Sequence, residues 1–548
     1  MQPVPPSPPR ADPVTSGRRG RRWPYVVAMV LGLVIFLLAW IYWPVPVPPL
    51  RIAMDTTYLT GPLNPDGTVN YLAALNEIQS EGVTPENNAA IPLLQALGPG
   101  LIPDRKVLPT VLEQLGAKPL AQDGRYFVPF DAYVQRKQPG LLTVQDEDGT
   151  SPVPVADIEA IPEQVIDGSA PEHRVLVDGW LAENVAALEL VVQAAQRPRF
   201  FMPLVSLQDP PRMMDGFCVD LKLLRMVGKA LYVRASIRAN DGDLDGAWHD
   251  SQALHRLGVL YGQQITAIGV LVGVALDAAA SDADVRIAGR SDLSVARARS
   301  MLAELRALPE LPSIYRAIDL GERCMMLDSI MQIMRSPAKL PGGTTLPVYR
   351  TGAVDFNLIL HRTNAAMDAN VAPLRVDDYS ERRRLLAEQG DEFAERVQAN
   401  SDLWSGGWGM LRLMAVTPGV RVRVKSELIG DLLLSFMMPS LGTVDRHRLA
   451  AVMHRRLAEA SLALAVYQKE RGSYPPSLDE LVPEYLPRVP VDVFSGKPLV
   501  YKPHDAGYLL YSVGMNGEDN GGQEGEGRDL DDLAVRVGEA ASQVVEAE

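Results

Sequence analysis

The sequence predicts a mainly α-helical protein, a helical hairpin array or irregular bundle, with one N-terminal transmembrane helix and a C-terminal α+β domain. Three observations predict it. Apolar residues recur at three- and four-residue steps over most of 178–438, beginning with Leu181, Val185, Leu188 and Val192, which is helical periodicity. The run Tyr25–Trp43 is apolar and uncharged; as a helix at about 1.5 Å per residue it approaches the ~30 Å hydrocarbon core of a bilayer. The chain is 47% hydrophobic but only 6% aromatic, so its cores must be built from Leu, Val, Ala and Met, which favours helices over a β-sandwich.

Residues 1–22, rich in Pro, Arg and Gly, read as a disordered cytoplasmic tail. Residues 23–43 read as the transmembrane helix. Trp23, Tyr25, Trp40, Tyr42 and Trp43 crowd its ends, where amphipathic rings prefer the headgroup layer. Arg18, Arg19, Arg21 and Arg22 precede it, and the first charges after it are Arg51 and Asp55. That asymmetry predicts a single-pass protein of a bacterial inner (cytoplasmic) membrane, N-terminus in the cytoplasm and bulk in the periplasm. A cleaved signal peptide is the alternative; the run is longer than the core of such signals and ends in Trp-Pro rather than small residues. The lipid bilayer is thus an expected partner through residues 23–43, and envelope proteins are further candidates. Nucleic acid is not, because a net charge of −14 repels phosphate.

Residues 44–50, with Pro44, Pro46, Pro48 and Pro49, favour a stiff polyproline II stalk. Residues 51–130 form a small helical region: Val69–Glu81 is helical in pattern, and Thr84-Pro85-Glu86 predicts a helix start with Thr84 as N-cap. Residues 131–177 read as a loop-rich connector with short strands. In the helical ectodomain, 178–438, two helices flank the turn Asn240-Asp241-Gly242. The stretch Gly242-Asp243-Leu244-Asp245-Gly246-Ala247-Trp248 resembles the turn of a tetratricopeptide repeat, although no second copy follows at that family's period. Residues 539–548 are an acidic tail.

The stretch 439–538 is the most specific. A long helix over Asp445–Arg471 is followed by Gly472-Ser473-Tyr474-Pro475, a short helix over Ser477–Leu481, the turn Pro490–Pro498, and strands over 499–503, 508–513 and 533–537. That order resembles the C-terminal domain of the major pseudopilin of type II secretion and related pilin-like proteins. Tyr467 with Gly472-Ser473-Tyr474-Pro475 stands where the family has its G-x-Y-P, and Tyr508–Gly517 where it has Y-x-L-Y-S-x-G-x-D-G. The family's cleavage motif is missing before residue 428, which speaks against processing as a pilin. The whole chain is also similar to bacterial single-pass membrane-anchored proteins. The pseudopilin resemblance implies a calcium loop. Asn516 matches the first acidic position and Asp532 the second, Ser512 and Val513 would offer carbonyl oxygens, and Asp519, Asp529 and Asp531 are nearby carboxylates. A solvated acidic loop is the alternative.

Catalytic motifs are scarce. His249 and His255 are six apart and His447 and His454 seven apart, spacings that do not place two ligands on one metal, so solvated or capping histidines are expected. Ser336-Pro337-Ala338-Lys339 has the S-x-x-K spacing without the companion K-T-G. Cys218 and Cys324 read as buried free thiols, with a disulfide as the alternative. Met325, Met326, Met331 and Met334 read as flexible core filler, with a copper or partner groove as the alternative. The expected function is that of a non-catalytic scaffold or interaction ectodomain; a hydrolase with a site assembled from distant residues and an accessory part of a secretion or pilus-like machine are the alternatives.

Overall fold

The computed structural model describes residues 28–33, 35, 36, 46–141, 143–145, 152–154, 158–216, 219–335, 353–404, 416–437, 441–504, 507–523 and 531–538. These are mainly helical, with one small three-stranded sheet. The transmembrane helix is corrected: among the described residues no helix is long and apolar enough to cross a membrane. The described helical part of the expected span, between residues 28 and 36, covers less than half of a ~30 Å bilayer core; the rest of 23–43 lies outside the described residues.

Four helices form the centre: α1 (Leu221–Asn240), α2 (Leu244–Gly262), α3 (Ala267–Ala288) and α4 (Val295–Arg306). Each starts where a short polar side chain can hold the first free N–H groups. Asp220 accepts from Leu223, Asp243 from Gly246, Thr266 from Gly269 and Ser294 from Arg297. The expected hairpin is therefore α1–α2, with Gly242 at φ 89° in its turn.

Two elements differ from expectation. The helix anticipated from Thr84 starts only at Ala90. Asn88 is captured by a distant strand-like segment, its Nδ2 donating to the Phe201 carbonyl (2.9 Å) and its Oδ1 accepting from the Phe201 N–H (3.0 Å). That tertiary pairing holds 87–89 out of the helix. The connector 131–177 is more helical than its Pro and Gly content predicts, with helices Phe130–Lys137 and Ile161–Asp167. Their anchor is aromatic: Phe130 packs edge-on against Trp180 at 5.2 Å. The only part of it that pairs as strands, among the described residues, is β1 (Thr143–Gln145) with β2 (Pro152–Pro154).

At the C-terminal end, helix α5 (Leu441–Arg471) precedes strands β3 (Val500–His504), β4 (Gly507–Ser512) and β5 (Leu533–Val537), antiparallel in that order. The long helix and three strands form where the sequence places them. They do not build a separate core. Leu457, Leu464 and Leu510 bury together with Trp248, Ile287 and Leu302 of the central helices. At the other end, segment 51–59 is tied down by the buried Arg323, which stacks over the Tyr58 ring at 4.3 Å and donates to Asp319 (2.6 Å) and Asp368 (2.7 Å).

Candidate functional site

Three places gather ionisable groups: the C-terminal loop, a buried network between α2, α3 and α5, and an open cleft beside β5.

The loop brings together part of the expected set. Asp532, 1% exposed, accepts at Oδ2 from the N–H groups of Asn520 (3.0 Å) and Gly522 (2.7 Å). Asp531 accepts at Oδ2 from Asn516 N–H (2.9 Å), and Asp519 accepts at Oδ1 from Gly521 N–H and the Tyr511 hydroxyl, both 2.9 Å. Asn516 donates from Nδ2 to Asn520 (2.9 Å). Ser512 and Val513 look elsewhere: the Ser512 hydroxyl and the Val513 N–H both donate to Asp492, at 2.9 and 3.0 Å. Asp492 thereby ties the Pro490–Pro498 turn to β4, a structural knot that its place in the turn motif foreshadows. Asp529 lies outside the described residues.

The fit to calcium is partial. The Oδ1 atoms of Asp531 and Asp532 are buried with no hydrogen-bond partner among the described residues, and an oxygen in that state suits a hard cation. Burial pushes the Asp532 carboxyl up from its ordinary range against its two N–H donors, and the charges of Asp519 and Asp531 add to the rise. Yet among the described residues no group of three or more His, Cys, Asp or Glu side chains is placed to hold a metal. An ion here would need main-chain carbonyls, Asn516 and water to complete its shell.

The buried network was not expected. His255, Asp277 and Asp284 are each 0% exposed. The imidazole Nδ1–H donates to Asp277 Oδ1 (2.7 Å) and Nε2–H to Asp284 Oδ2 (2.9 Å). Ser251 donates to Asp284, and Arg455 from α5 donates to Asp277. Burial opposes a charge on the ring, but Asp277 and Asp284 outweigh it and hold the imidazolium up to about 9. Asp277 is lowered in turn, burial being overcome by His255 and Arg455. Two cations against two carboxylates leave the cluster neutral. One turn earlier, Arg234 clasps Asp250 with two bonds (2.8 and 2.6 Å) and reaches Glu189 (3.0 Å). His255 is thus neither solvated nor a cap. The signal in the sequence was the pair Asp277 and Asp284: seven apart, they stack on one face of an otherwise apolar helix and need cations there.

This network cannot run hydrolysis as it stands. Both ring nitrogens carry carboxylates, so neither is free to take a proton, and Ser251 faces Asp284 rather than the ring. Of the other residues singled out, Cys324 is a buried free thiol and Cys218 lies outside the described residues, as do Ser336 and Lys339. Met326 and Met331 are buried in separate apolar clusters, as core filler would be.

The open cleft measures about 590 Å³ and lies between α3, α5 and residues 534–538 of β5 and its end. Ser281, Asp282 and His454 line it without forming a nucleophile–base pair: Ser281 donates to the Asp277 carbonyl of its own helix (2.9 Å), and Asp282 is held by Arg286 (2.9 Å) and the Tyr232 hydroxyl (2.5 Å).

No protein-family model matches the chain, and no curated protein or solved structure shows significant similarity to it.

Proposed function

We propose that the chain is a non-catalytic scaffold or interaction protein. The observation that carries this reading is the buried His255 network: the densest set of catalytic-type side chains is sealed, charge-neutral and spent on joining α5 to the central helices. Its groups act as cross-links between elements rather than as reagents. The open surface lies instead where the C-terminal strands meet the helical body, which is where a partner would find main-chain and charged groups together.

The test is turnover against stability. Purified chain is assayed with ester, peptide and phosphomonoester model substrates, alongside Ser251→Ala and His255→Gln. No turnover above buffer, with both variants changed only in melting temperature, is expected. Hydrolysis that Ser251→Ala abolishes while the fold is kept would overturn the reading. An accessory role in a secretion or pilus-like machine is the second reading; the long helix followed by a three-stranded antiparallel sheet favours it.

A further inference from the structure

The C-terminal sheet ends on β5. This strand pairs with β4 through Leu533–Val537, and among the described residues no strand pairs with its other side. Ala534 has a partner of its own, so the edge open to a peptide runs from Val535 onward. Residues 535–538 form one wall of the 590 Å³ cleft. The opposite wall is a single face of α3, with Ala278, Ser281, Asp282, Val285, Arg286 and Gly289 at three- and four-residue steps. A strand edge facing a helix across a gap is the arrangement in which an extended peptide adds as a further strand: the edge supplies main-chain hydrogen bonds, and the helix face reads alternate side chains.

The charge of the lining selects the peptide. Arg286, Arg290 and Arg536 contribute three guanidiniums against one carboxylate, Asp282, on a chain whose net charge is −14. Arg286 spends Nε on Asp282 and Nη2 on Asp167, and Arg290 spends Nε and Nη2 on Asp292; no hydrogen bond engages Nη1 of either among the described residues. Arg536 donates to the Gly522 carbonyl and has no carboxylate partner among the described residues. Small side chains at Ala278, Ser281 and Gly289 keep the helix wall low. We propose that this cleft binds an acidic, extended peptide segment of a partner protein by strand addition to β5. The proposal rests on the interaction-protein reading above and gives it a site and a class of partner.

Fluorescence polarisation on the full chain tests it with three labelled decapeptides: alternating Val-Glu, alternating Val-Lys, and the Val-Glu sequence N-methylated at alternate residues. Saturable binding of the first is expected, with the second and third each weaker by about tenfold or more. Arg536→Glu should weaken the first by a similar factor at unchanged melting temperature, whereas Arg174→Glu, away from the cleft, should not. Equal binding of the N-methylated peptide would reduce the effect to charge attraction and overturn strand addition. Binding that appears only after residues 539–548 are removed would assign the cleft to the chain's own acidic end. No saturation below about 1 mM would remove the proposal. None of these failures produces turnover, so they leave the non-catalytic reading standing and are distinguishable from its own failure.

Discussion

A single imidazole carries an unusual share of the interior electrostatics. His255 sits between two fully buried carboxylates, so its removal strands both. Breaking a buried charge cluster by deleting one partner typically costs about 3–5 kcal/mol, and His255→Leu should destabilise on that scale in chemical denaturation. The sign with pH follows from the raised folded value of about 9 against about 6.5 unfolded. The stabilisation is fully present below about 6.5, declines as pH rises from there, and is gone above about 9. Melting temperatures of the native chain should fall across that window, and His255→Gln should flatten the fall; a slope unchanged by the variant would refute the assignment. Asp532 gives the other residue-scale test. Its folded carboxyl is raised, so without an ion its favourable contribution is present at acid pH and is lost as pH rises through the folded value. Calcium at a hundredfold excess over its dissociation constant would stabilise the full chain by about 2.7 kcal/mol. Asp532→Asn should remove both the pH effect and any calcium shift. Equal melting with millimolar calcium and with chelator would leave the loop as an acidic turn.

At the scale of elements, α2 and α3 cross where neither has a side chain. A Cβ at Gly258 would lie 2.8 Å from the Gly273 carbonyl oxygen, and one at Gly273 would lie 2.5 Å from the Gly258 carbonyl oxygen and 3.0 Å from the Gly262 nitrogen. The obstacles are backbone, so the helices would have to part. Gly273→Ala should cost roughly 1–3 kcal/mol by overpacking, despite alanine's better helix propensity. Gly390, with nothing within reach of an added Cβ, should gain or lose little on the same change. Circular-dichroism melts of the two variants check the contrast. This close crossing is also what brings His255 of α2 onto Asp277 and Asp284 of α3.

The whole molecule is joined through α5. This helix packs on α3 and α4, and its Arg455 reaches into the buried network. Arg299 of α4 clasps Glu470 of α5 with two bonds of 2.8 Å, and Arg306 of α4 binds Glu459 (2.6 Å). Because Trp248, Ile287 and Leu302 share one core with Leu464 and Leu510, the C-terminal strands should not melt on their own. Calorimetry should show residues 441–538 unfolding together with the central helices. Loss of sheet signal well before helix signal would mean the shared core is not cooperative, and Arg455→Ala should promote that separation.

The sequence by itself determined the elements whose signals are local. Helical periodicity, the caps Asp220, Asp243, Thr266 and Ser294, and the turn at Gly242 located the central helices. The run of Tyr and Leu from Tyr508 marked β4 in the same way. The acids of the C-terminal loop were legible as a cluster, but not their partners: Ser512 and Val513 turn to Asp492 because strand pairing, not spacing, decides which way they face. Only the tertiary structure decided that Asn88 leaves its helix for Phe201, that the connector folds against Trp180, and that His255 is a buried ion. Each depends on a group more than twenty positions away along the chain. A lone histidine among apolar residues is chemically silent until the fold chooses its neighbours, since the carboxylates that fix its charge act over a few ångströms of space and not over any fixed interval of sequence.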